Sequence, residues 1–141
     1  MENKINSKTL REVLFKNRKT QIEFNSTLVL KIEKILDKKI SDLTESDIRL
    51  LVNQSFGLQY IVPMAIDLLE KDLFIECDYY EGDLLLNLLN IDNTYWINQK
   101  DQFKRLKEIM SKGFNNIDQI IFDEEIKNDL VTKYANLIEN S

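Results

Sequence analysis

Residues 44–71 read TESDIRLLVNQSFGLQYIVPMAIDLLEK, and the way this stretch is punctuated decides the fold class. Thr44-Glu45-Ser46-Asp47 is a capping box in its looser Ser/Thr-x-x-Asp/Glu form, which ties up backbone N–H groups left free at a helix start. Ile48, Leu51, Val52 and Phe56 then recur at helical spacing and share one face. Gly57 can take the left-handed conformation that ends a helix. A second helix is predicted almost at once, over about residues 59–71. Pro63 falls in its first turn, where a missing N–H costs little.

Working outward, Ser26 can cap a helix whose apolar stripe is Leu28, Val29, Ile32, Ile35 and Leu36. Residues 1–25 are polar and read as a weakly ordered basic arm, although Leu10, Val13 and Leu14 have helical spacing. Downstream, residues 73–81 alternate Tyr, Phe and Ile with acids and form an extended connector. Gly82-Asp83 then starts a short helix over 84–89, apolar nearly all round and therefore central, with Asp83 expected to cap it. Thr94 can cap a further turn holding Tyr95, Trp96 and Ile97. A helix over about 101–112 shows Phe103, Leu106, Ile109 and Met110, and Gly113 closes it. The last amphipathic helix, about 123–139, turns Ile126, Leu130, Tyr134, Leu137 and Ile138 inward. Sheet-rich folds need turn residues often, and this chain has three glycines and one proline in 141 residues. The expectation is an all-α fold, a compact single-domain bundle of about six to seven helices spanning 1–141.

The chemistry the chain lacks narrows its work. There is no histidine, which removes the commonest general base and metal ligand. Cys77 stands between Glu76 and Asp78, whose charges disfavour a reactive thiolate, and it reads as a half-buried small apolar residue. The three glycines are isolated, so no phosphate loop exists, and too few ligands remain for zinc. Seven acids fall between Asp67 and Asp83, but Asp72, Glu76 and Asp78 lack the spacing of a calcium loop. Paired-carboxylate hydrolysis is the one catalytic option left formally open, and a solvated acidic surface is the better reading. No catalytic residue, cofactor or metal is therefore assigned, and the chain is expected not to be an enzyme. No apolar run is long enough to span a membrane, the N-terminus lacks the apolar stretch of a signal peptide, and one cysteine suits a reducing compartment. A cytoplasmic location is expected.

Charge points to the partner. Residues 1–39 carry ten Lys/Arg against five Asp/Glu, whereas 40–141 carry nine against nineteen. The acidic part repels a phosphate backbone and attracts a basic surface, so a protein partner is favoured over nucleic acid. Lys16, Arg18 and Lys19 could mark a nucleic-acid footprint, but no recognition-helix signature follows them. The segment Glu76-Cys77-Asp78-Tyr79-Tyr80-Glu81 joins carboxylates to two tyrosines, a combination suited to an interface. Tyr80 is read as an anchor to the core. Asp72, Glu76, Asp78, Tyr79 and Glu81 are the candidate binding residues. A second candidate surface is Asp123, Glu124, Glu125 and Asp129.

The middle of the chain resembles the immunity proteins of contact-dependent growth inhibition systems. The matching run is Leu43-Thr44-x-x-Asp47-Ile48-Arg49-Leu50, Gln54, Gly57-Leu58-x-Tyr60-x-Val62-Pro63-x-Ala65 and Leu68-Leu69. It continues with Asp78-Tyr79-Tyr80-x-Gly82-Asp83-Leu84-Leu85, and Ser26-Thr27-Leu28-Val29 fits upstream. The likeness spans about residues 26–110. Leu73, Cys77 and Glu81 depart from it, standing where proline, glycine and proline are frequent. The resemblance implies that the chain binds and neutralises the C-terminal toxin domain of a matched surface effector, often a nuclease with a basic active-site surface. The alternative is a helical adaptor or regulator that binds another cytoplasmic protein.

Overall fold

The computed structural model describes residues 7–15 and 27–139. The Ser26 cap and the basic triplet Lys16, Arg18 and Lys19 lie outside the described residues. The described chain is all-α: it contains helices, short 3-10 turns and two isolated β-bridges, with no strand. Contacts divide it into two units, residues 1–47 and 48–141. Among the described residues no helix is long and apolar enough to cross a membrane.

In the first unit the helical spacing of Leu10, Val13 and Leu14 becomes helix α1, Leu10–Phe15. Thr9 caps it by accepting the Glu12 N–H at 3.1 Å. Helix α2, Thr27–Leu36, packs against α1 and buries Ile32, Ile35 and Leu36. Arg11 fastens the two helices: its Nε donates to Asp37 at 2.9 Å, and a terminal nitrogen pairs with Glu33. These bonds, Asp37 first, raise the guanidinium's pKa above its ordinary value. The strand-like bridge Thr9–Lys39 and a 3-10 turn, Ile40–Asp42, complete the unit.

Helix α3, Glu45–Asn53, starts at the expected capping box, and the box is reciprocal. The Asp47 N–H donates to the Thr44 hydroxyl (3.1 Å), and the Thr44 N–H donates to the Asp47 carboxylate (3.0 Å). The end of α3 differs from expectation. Ser55, not Gly57, takes the left-handed residue of the closing motif (φ 52°). The Phe56 N–H returns to the Leu51 carbonyl at 2.9 Å and the Ser55 N–H to Val52 at 3.0 Å, the paired bonds of a Schellman ending. Gly57, also left-handed (φ 62°), instead opens helix α4, Leu58–Lys71. Pro63 is the sixth residue of α4, beyond the first turn where it was expected, and removes the N–H that would have met the Gln59 carbonyl.

The rest of the second unit wraps helix α5, Asp83–Leu89, in which Leu84, Leu85 and Leu88 are fully buried. Helix α6, Asn93–Asn98, is capped by Asp92, whose carboxylate accepts the Thr94 N–H at 2.9 Å, so Thr94 is the residue capped and not the cap. That bond holds the Asp92 carboxyl below the usual carboxylate range. Helix α7, Lys100–Gly113, packs on α4 and α6. Gly113 does not close it in a left-handed turn. It is ordinary helix (φ −94°), and the chain tightens into a 3-10 turn at Phe114–Asn116. Glycine leaves room there for Leu73, whose Cδ2 would lie 2.3 Å from a Cβ and would have to shift. A short helix α8, Ile117–Ile120, leads to α9, Glu124–Glu139, which packs on α5. Leu130 and Leu137 are buried as expected, but Ile138 is 40% exposed.

Candidate functional site

The connector between α4 and α5 is a closed turn and not an extended span. Asp72 ends α4, and its carboxylate accepts the Phe74 N–H at 3.3 Å. Phe74 is buried and meets Phe114 edge-on at 5.7 Å, and Phe114 stacks on Tyr134 of α9 at 4.3 Å. The chain then reverses, because Glu76 and Glu81 pair as an isolated antiparallel bridge. The Gly82 N–H returns to the Phe74 carbonyl at 3.0 Å. Gly82 adopts φ 90°, a left-handed value that a side chain resists, and a Cβ there would also press Leu130 of α9 at 3.1 Å.

That backbone turn redirects Asp83. Its carboxylate does not cap α5 as expected. It faces backward into the connector, accepting the Cys77 N–H on one oxygen and the Asp78 and Tyr79 N–H groups on the other, each at 2.9 Å. Asp83 is 1% exposed. A buried carboxylate is tolerated when its lone pairs are filled in this way, and here its charge organises three consecutive peptide units. The helix N-terminus beside it also favours the negative charge.

Arg49 of α3 supplies the second support, and the sequence reading assigned it no role. It is 7% exposed, its Nε bonds the Asp78 carboxylate, and its guanidinium carbon lies 4.8 Å from the centre of the Tyr79 ring. A guanidinium can satisfy a carboxylate and stack on an aromatic face at the same time. An arginine beside an aliphatic helical stripe was the available signal, since arginine is seldom buried without a partner.

The five candidate residues thus divide by task. Asp78 is an exposed residue whose side chain is only 19% exposed, because it is engaged with Arg49. Asp72 is exposed and holds the Phe74 N–H. Glu76 and Glu81 are exposed, and neither has an ion-pair partner among the described residues. Tyr79 is 72% exposed although Arg49 supports one side of its ring. Tyr80 is half-buried, as expected of an anchor, and burial, followed by the charges of Asp83 and Asp129, pushes its hydroxyl pKa up. The half-buried Cys77 contributes its backbone N–H to the Asp83 cluster.

Two acidic surfaces treated separately in sequence adjoin in space. Gly82 lies against Leu130, and Asp129 is close enough to act on Tyr80. Within the second surface, Asp123 caps α9 by accepting the Glu125 and Ile126 N–H groups at 3.0 and 3.1 Å. Glu124 shares Lys127 with Asp118, while Glu125 and Asp129 are exposed without an ion-pair partner among the described residues. Asp118 raises the Lys127 pKa most, and Glu124 adds to the shift.

Elsewhere, a groove of about 400 Å³ lies between α4 and α7, lined by Leu69, Leu73, Arg105 and Ile109 among others. Arg105 is committed to Asp67 at 2.6 Å and to Glu70. Among the described residues no group of three or more Cys, Asp or Glu side chains is arranged to hold a metal ion. What the connector and α9 offer chemically is a preset acidic surface with an aromatic ring at its crest. Residues 13–106 match a protein-family model described as CDI immunity proteins. No curated protein matches the chain.

Proposed function

With 94 of its 141 residues inside that match, the chain belongs to the CDI immunity proteins, and from this premise we propose that it protects its producer by binding one cognate toxin domain. It acts by occupancy and catalyses nothing, in the cytoplasm where the toxin would do harm. The connector carries this reading: Asp83 and Arg49 fix its backbone, so Tyr79, Glu76 and Glu81 are displayed without needing order of their own. A pre-ordered surface loses less entropy on binding, and carboxylates around an aromatic suit a partner with lysine and arginine on its face. Asp72, Glu76, Tyr79 and Glu81 contact the toxin, Asp78 holds the turn, and Glu125 and Asp129 extend the acidic surface.

The test is growth of cells expressing the C-terminal domain of the adjacent effector together with this protein. Wild type should protect. A triple reversal, Asp72→Lys with Glu76→Lys and Glu81→Lys, should lose protection with only a small drop in melting temperature, because all three side chains are exposed and the one bond lost is the 3.3 Å acceptance of the Phe74 N–H by Asp72. Asp78 is left untouched, since reversal there would set a cation against buried Arg49. Full protection by the folded triple variant would move the binding face off the connector. Absence of protection by the wild type would return the chain to the adaptor reading.

A further inference from the structure

Phe122 was not singled out by any sequence pattern, and its position is anomalous. Of the six phenylalanines among the described residues it alone is exposed, at 79%. It makes no ring contact among the described residues, although both of its neighbours are fixed. Ile121 is 3% exposed and sits 3.7 Å from the position a Cβ would take on Gly82. On the other side Asp123 is held by its two cap bonds to α9. The ring therefore projects from a clamped backbone. Its setting is acidic: residues 117–130 hold Asp118, Asp123, Glu124, Glu125 and Asp129 against Lys127. Ile120, two residues before it, is 36% exposed. An exposed aromatic ring flanked along the chain by acids has the composition of an interface anchor with a polar rim. The acids repel phosphate backbones and anionic bilayers, which leaves a basic protein as the complementary occupant. This segment also lies beyond the family match, which ends at residue 106.

We propose that Phe122 is a specificity anchor that enters an apolar socket, rimmed by lysine or arginine, on the toxin domain. This deepens the immunity reading and rests on it. The probe is the purified C-terminal domain of the adjacent effector, with binding followed by surface plasmon resonance and each variant checked by thermal melt. Phe122→Ala should weaken binding about tenfold or more, chiefly through faster dissociation, with an unchanged melting temperature. Phe122→Trp should keep most of the affinity. If Phe122→Ala binds like wild type while the connector reversal loses binding, the anchor falls and the immunity reading stands. If the wild type itself does not bind, both fall. A Phe122→Ala protein that melts several degrees lower makes the ring a folding residue and overturns the proposal. Self-association abolished by Phe122→Ala, or capture by phosphatidylcholine–phosphatidylglycerol vesicles, would give the face to another occupant and overturn it equally.

Discussion

Asp83 concentrates more consequence in one side chain than any other residue of the connector. Removing its carboxylate strands three backbone N–H groups, and an unsatisfied buried donor costs on the order of 1–3 kcal/mol. Asp83→Ala should therefore destabilise the protein by roughly 2–4 kcal/mol in urea titration, more than loss of a helix cap would. Asp83→Asn, which keeps one acceptor oxygen, should fall between. A cost below that of an ordinary cap would mean the turn holds itself. That Asp83 is structural was legible from Gly82-Asp83 preceding an apolar run. The direction of its carboxylate was not, because it depends on the left-handed Gly82 and on a chain reversal four to six residues upstream. The partners of Arg49 were illegible for a similar reason, since they lie 29 and 30 residues away. Tyr95 offers a test by pH. Burial pushes its hydroxyl pKa from 10.0 up to about 12, opposed by Gln102, and the hydroxyl also donates to the Leu58 carbonyl at 3.1 Å. The unfolded chain ionises first, so this contribution to stability is intact below pH 10 and lost as pH rises through 12. Ultraviolet titration should show a late phenolate that vanishes in Tyr95→Phe. Ionisation of every tyrosine together, near the ordinary value, would contradict the burial.

Among the elements, α7 separates propensity from packing. Alanine normally improves a helix interior by up to about 1 kcal/mol over glycine. Gly113→Ala should do the reverse, because Leu73 fills the space a methyl would take. Pairing it with Leu73→Ala should recover much of the loss, which a double-mutant cycle measured by thermal melts would read as a favourable coupling. Additive effects would show that Leu73 yields without strain. The sequence marked Gly113 as a terminator because glycine after a helical run usually is one. Here a contact 40 residues distant decided the matter. The helix starts that were legible depended on local bonds, as at Thr44 and Asp47, whereas endings depended on exact closure. Hence the termination that sequence placed at Gly57 belongs to Ser55.

At the scale of the whole molecule, charge and contact boundaries nearly coincide. Residues 1–47 hold ten bases and eight acids, and residues 48–141 hold nine bases and sixteen acids. The second unit carries the connector and α9, so association with a basic toxin should slow as salt rises through the physiological range. Stopped-flow rates that ignore salt would indicate an apolar encounter instead. This acidic bias was visible in composition alone. The adjacency of two acidic segments was not, because no local pattern tells that Gly82 and Leu130 touch. The buried supports of the turn also bear on how such a protein could change its enemy. Asp83 grips main-chain groups while Arg49 grips the Asp78 carboxylate and the Tyr79 ring, so the letters at 76 and 81 are free to be rewritten while the grammar of the turn stands. If the connector is the toxin-binding face proposed above, a lineage confronted with a new toxin alters its defence there by single substitutions without first having to survive a loss of fold.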